Sequence, residues 1–76
     1  MYTLEKLNIN KIAKIEDINC ESNIKRRMMD LGIVKGTKIK AILKSPSGNP
    51  KAYEVRGSVI AIRNEDAKMI KIKSPI

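Results

Sequence analysis

Along this chain apolar and polar residues fall into short stretches of distinct period. From Thr37 to Lys44, Ile39, Ala41 and Leu43 alternate with Lys38, Lys40 and Lys44, which predicts a half-buried strand with a cationic outer face. Ala52 to Arg56 and Ser58 to Arg63 read as two further strands, joined so closely at Arg56-Gly57 that a tight hairpin is the natural connection. Lys11 to Ile18, with Ile12, Ile15 and Ile18 apolar, is read as a strand, although its three-residue spacing also suits a helical turn. Asn64-Glu65-Asp66-Ala67 can form one helical turn before a closing strand from Met69 to Lys73.

Between the first two predicted strands the period changes. Ile24, Met28 and Leu31 recur at i, i+4 and i+7 and so share one helix face, while Lys25, Arg26, Arg27 and Asp30 fall elsewhere around it. The expected helix buries Ile24, Met28 and Leu31, is capped by Asn19 or Ser22, and leaves Met29 toward a rim or a partner surface. Gly32 stands where a helix C-cap needs positive φ, and Ile33 can pack back on the last turn. Gly36 and Gly57 permit the next two reversals. Four or five strands and one helix are too few for a stacked sandwich. A mostly β chain that curls into a small antiparallel barrel, with one short helix between its first two strands, hides its edges most economically.

Composition narrows the chemistry. The 76 residues suit a single small domain spanning 1–76, without repeat or linker, and the absence of Phe and Trp makes its core aliphatic. There is no His, so the commonest general base and the commonest neutral metal ligand are both missing. Gly32 and Gly36 follow a helix and lack the Gly-Lys-Ser/Thr ending of a phosphate loop. Neither an enzyme nor a bound cofactor is expected. Cys20 is the only cysteine, which excludes an internal disulfide and suits a reducing compartment. Glu16, Asp17 and Glu21 are near it in sequence, so Cys20 is a candidate metal ligand, ranked behind a partly buried structural thiol. No apolar run suits a membrane span or a leader, so a cytoplasmic location is expected, without direct membrane insertion.

The net charge of +8 favours encounter with acidic surfaces. Basic residues are nevertheless spread over every predicted strand and the helix, with one cluster at Lys25-Arg26-Arg27. A solvated basic face is the plain reading, ahead of an acidic protein partner. A basic nucleic-acid-binding barrel ranks last, because Tyr2 and Tyr53 are the only aromatics on which bases could stack.

The run Arg27-Met28-Met29-Asp30-Leu31-Gly32-Ile33-Val34-Lys35-Gly36-Thr37 resembles the signature of the FeoA family, small cytosolic proteins that accompany bacterial ferrous iron transport. Ser45-Pro46-Ser47-Gly48-Asn49-Pro50 is similar to that family's Pro/Gly loop, Val55-Arg56-Gly57 to its glycine turn, and Ile60-Ala61-Ile62-Arg63 with Ile70-Lys71-Ile72 to its last strands. The resemblance implies an SH3-like barrel and an accessory or regulatory role beside FeoB, a membrane ferrous iron permease with a cytosolic GTP-binding domain. A comparable SH3-like module ends the iron-dependent repressors, which makes an isolated module of that type the runner-up. Arg26, Arg27, Met29 and Lys35, off the apolar helix face, are the expected contact residues, together with Ser47, Gly48 and Asn49 in the Pro-bounded loop. Leu31, Gly32, Gly36 and Gly57 are expected to serve the fold. Whether copies associate is left open by the sequence.

Overall fold

In the computed structural model, which describes residues 2–73, six antiparallel strands hydrogen-bond into one sheet. They are β1 (Tyr2–Thr3), β2 (Ile12–Ile18), β3 (Lys38–Lys44), β4 (Lys51–Val55), β5 (Ser58–Ile62) and β6 (Ile70–Ile72), in the spatial order β1-β6-β2-β3-β4-β5. Helix α1 (Ser22–Asp30) joins β2 to β3, and the single turn α2 (Asn64–Ala67) joins β5 to β6. Met1 and residues 74–76 of the expected domain span lie outside the described residues.

The two-residue strand β1 and the 3₁₀ turn Leu4–Lys6 behind it were not expected from the pattern, and they set the helix between the second and third strands instead of the first and second. Their anchors are Leu4 and Leu7, both buried in the core. From the far side of the strand order, β4 reaches back to the same segment. Lys51 Nζ donates to the carbonyls of Glu5 (3.1 Å) and Leu7 (2.6 Å), and the Tyr53 hydroxyl donates to that of Leu4 (3.4 Å). These bonds bring distant places in the strand order together, so the sheet curls into a small barrel around Leu4, Ile15, Ile33, Ile39, Tyr53 and Ile72.

Two irregularities account for where the simple period of two fails. In β2 the register against β6 shifts between Ile15 and Asp17, so Ala13, Ile15 and Ile18 all point inward and Ile12 does not. The three-residue spacing of Ile15 and Ile18 is thus a bulge and not a helical turn. In β3 a second shift lies between Ala41 and Leu43; Ile39 and Ala41 are buried, but Leu43 turns outward and is 55 % exposed, contrary to the alternation. The β4–β5 hairpin closes at the Val55–Ser58 pair through Arg56 and Gly57, with φ of 53° and 83°, the double positive φ of a type I′ turn.

Candidate partner-binding surface

Helix α1 is amphipathic but short, and its stop is better defined than its start. The helix begins at Ser22 with Glu21 as N-cap and without a side-chain cap bond, so neither Asn19 nor Ser22 caps it. At the other end the Gly32 N–H donates to Met29 O (2.9 Å) and the Ile33 N–H to Met28 O (2.9 Å). This pair of bonds is the Schellman arrangement, and Gly32 supplies its left-handed residue at φ +87°. Ile33 is fully buried immediately after it, as expected.

The face that α1 turns to the barrel is narrower than its spacing suggests. Met28 is buried and Ile24 half-buried, but Leu31 is 41 % exposed, so it does not join the core. Leu31 is the C-cap residue, where the chain already leaves the helix, and its side chain forms the wall of a cleft. That cleft, of about 50 Å³, lies between α1 (Ile24, Arg27, Met28, Leu31) and the β5–α2 corner (Ala61, Ile62, Arg63, Asp66). Arg63 Nε pairs with Asp66 Oδ2 at 3.5 Å on its rim. Sequence reasoning missed the β5–α2 side of this cleft, since nothing in the local pattern of 61–66 points to α1.

Arg26, Arg27 and Met29 are exposed on α1, with Met29 at 54 %. The loop residues Ser47 and Asn49 are exposed and Gly48 half-buried, and hydrogen bonds hold the loop against α2. Asn49 Oδ1 accepts from the Asn64 N–H (3.0 Å), Asn49 Nδ2 donates to Glu65 Oε1 (3.3 Å), and Asn64 Nδ2 donates to Gly48 O (3.2 Å). Asn49 thereby caps the first N–H of α2 from a distant segment. The Glu65 carboxyl is held below the ordinary carboxylate range, first by its own backbone N–H and then by Asn49. Through α2 the loop and the cleft share one corner of the barrel. Lys35 is exposed in a shallow depression with Val34, Gly36, Thr37, Lys38 and Arg56. Gly36 (φ +90°) makes the turn there, and Gly57 the hairpin.

Cys20 is a free, partly buried thiol packed against the core. Burial raises its pKa, the Asp66 carboxylate raises it further, and Lys25 opposes both. Among the described residues, no three of His, Cys, Asp and Glu converge as a metal ion would need. Of the two aromatics, Tyr53 is buried, its phenol pushed up by burial first and then by Glu5, and Tyr2 is half-exposed by itself. No helix among the described residues is long and apolar enough to cross a membrane.

The geometry defines a class before it defines a family: a small curled β barrel whose exposed features include a basic helix, a shallow cleft and a braced loop. A family model described as the FeoA domain matches residues 2–74, and the chain belongs to that family. It is similar to the solution structure of FeoA from Chlorobium tepidum, with a TM-score of 0.89 and 30 % identity over 93 % of this chain and 68 % of that one. It is similar also to the crystal structure of Stenotrophomonas maltophilia FeoA complexed with zinc, described as a prokaryotic SH3 domain protein, at TM-score 0.83 and 30 % identity, covering 96 % of this chain and 91 % of that one. A manganese-dependent transcriptional repressor shares the fold alone, with 11 % identity and a TM-score of 0.85 over 41 % of its length. No curated protein matches the chain by sequence. The barrel is thus SH3-like, and family membership carries a role in ferrous iron transport, as an accessory component in a family not known for enzymes.

Proposed function

We propose that this chain, acting as a single FeoA-like unit, is a non-enzymatic regulator of ferrous iron transport that works in the cytoplasm by contact with the cytosolic side of a FeoB-type GTP-binding permease. The observation that carries the reading is the corner where α1 meets β5 and α2: Arg26, Arg27 and Met29 stand exposed on the helix whose Ile24, Met28 and Leu31 line one wall of the cleft, on a chain of net charge +8. Charge of that size speeds encounter with an acidic protein surface, and a half-exposed methionine and leucine give it something apolar to cover. The barrel offers no exposed stacking platform beyond Tyr2, which favours a protein partner over nucleic acid. Iron dependence then resides in the transporter, and this protein responds to the state of its partner.

The test is binding of the chain to the immobilised cytosolic domain of the cognate permease, with and without a GTP analogue. Saturable binding that changes with nucleotide is expected. Absence of binding in both states, with the chain folded, overturns the permease as partner.

A further inference from the structure

Strand β5 ends the sheet on one side, and its sequence Ser58-Val59-Ile60-Ala61-Ile62 contains neither charge nor proline. Both are among the means by which an edge strand discourages pairing; another is a covering helix, and here α1 faces Ala61 and Ile62 across an open cleft. The hairpin register fixes which backbone groups are free. Val55–Ser58 is the closing pair of a two-residue hairpin and exchanges hydrogen bonds, and so, by alternation, do Tyr53–Ile60 and Lys51–Ile62. Val59 and Ala61 lie at the intervening pairs and aim their N–H and C=O groups away from β4. Among the described residues no backbone or side-chain hydrogen bond outside the sheet uses either residue. Both side chains are exposed, Val59 at 63 %.

We infer that the β5 edge is where an extended segment of a partner protein adds as a further strand, its apolar side chains seated in the cleft bordered by Met28, Leu31 and Ala61. The occupant's charge follows from the ends of the strand. Arg56 precedes it and Arg63 follows it, the latter paired with Asp66. A second copy paired antiparallel through β5 would set Arg56 of each against Arg63 of the other, in a dimer already carrying twice the charge of +8. An apolar segment flanked by Asp or Glu meets attraction at the same two places. Main-chain bonds would supply affinity and the alternate side chains specificity. The inference deepens the partner reading above and rests on it for the partner's identity, but the surface is tested without the permease.

The probe is the acetylated peptide Glu-Glu-Val-Thr-Val-Thr-Val-Glu-Glu, titrated into isotope-labelled protein and read by amide shifts and hydrogen exchange. Protection and shifts centred on the Val59 and Ala61 amides are expected, with affinity falling about tenfold, the equivalent of one strong hydrogen bond, in Val59→Pro, which removes one outward donor. If that variant fails to fold, N-methylation of alternate peptide residues removes the same bonds from the other side and is expected to weaken binding similarly. Lysine in place of the flanking glutamates should also weaken it. No change at β5 with millimolar peptide, equal binding of the lysine-flanked peptide, or a doubling of mass with β5 as its interface overturns the inference. A chain that binds the peptide but not the permease domain keeps the edge site and loses the partner reading. Wild-type binding of the permease by a folded Val59→Pro variant keeps the partner reading and overturns the edge as its docking site.

Discussion

Lys51 points its ammonium inward to the Leu7 carbonyl, 2.6 Å away, and ties β4 to the segment that follows β1. The residue is only 3 % exposed, its charge is shared with the Glu5 carbonyl, and its ammonium lies 5.6 Å from the centre of the Tyr53 ring. Burial lowers its pKa, assisted by Lys44 and opposed by Glu5. Lys51→Ala leaves two carbonyls without this donor and opens a gap in the wall, and is expected to cost about 2–3 kcal/mol. Lys51→Met keeps the packing and removes the buried charge, so its loss is expected to be smaller, about 1 kcal/mol. Thermal melts of the two variants, ranked against wild type, check the order.

Gly32 is the second stability prediction. At φ +87° any L side chain is strained, and an added Cβ would also stand 3.4 Å from Arg56 Cδ. Gly32→Val is expected to cost about 1–2 kcal/mol. In a chain of this size that is a fall of about 4–16 °C in Tm. An unchanged melt would remove the Schellman stop from the account of why α1 ends here.

Glu65 gives the pH dependence a sign. Its folded-state pKa lies below the ordinary value, so its contribution to stability is fully present above that value and is lost as pH falls through the folded-state one. Asn49→Ala removes the second cause of the shift and leaves the first, the backbone N–H. The Glu65 pKa should therefore move up part of the way toward 4.5, as read by carboxyl NMR titration. Exchange protection of the Asn64 amide should fall in the same variant.

Cys20 should react slowly. With its pKa raised by burial and by Asp66, less thiolate is present at pH 8 than in the unfolded chain. Alkylation is expected to be slower in the folded protein than in denaturant. Asp66→Asn should speed it, since a charge that raises the pKa has been removed.

Arg26→Glu tests the basic helix. Arg26 is exposed, so the substitution should spare the fold while slowing association with the permease domain and flattening its salt dependence. Stopped-flow or surface-binding kinetics at two ionic strengths separate this from a change in dissociation. An unaltered on-rate would move the contact surface away from α1.

Much of the architecture was legible because it is written in local periods. The hairpin at Arg56-Gly57 and the helix stop at Gly32 depend on residues adjacent in sequence, as does the single turn at 64–67 apart from its cap by Asn49. What escaped was set at a distance. Leu31 continues the i, i+4, i+7 series, but the Schellman turn carries the chain off the helix at that residue and leaves the side chain on a cleft wall. Leu43 keeps the right parity until the bulge beyond Ala41 turns it over. Nothing in the pattern around Lys51 marks it as buried, and only the curl of the sheet supplies the two carbonyls that let it be so. The cleft was invisible for the same reason: its two walls are about thirty residues apart along the chain.

The bulge in β2 also sets what descent can do to this chain. Ile18 faces inward because one extra residue is accommodated between Ile15 and Asp17. Deleting Glu16 would remove that extra residue and leave Ile18 two places after Ile15, still inward by plain alternation. Deleting Lys14, outside the bulge, would instead set Ala13 and Ile15 on opposite faces and shift every pairing before the bulge. Length drift is therefore tolerable in the loop of residues 45–50 and at the bulge, but not elsewhere in β2, where an insertion or deletion changes which side of the protein meets the world.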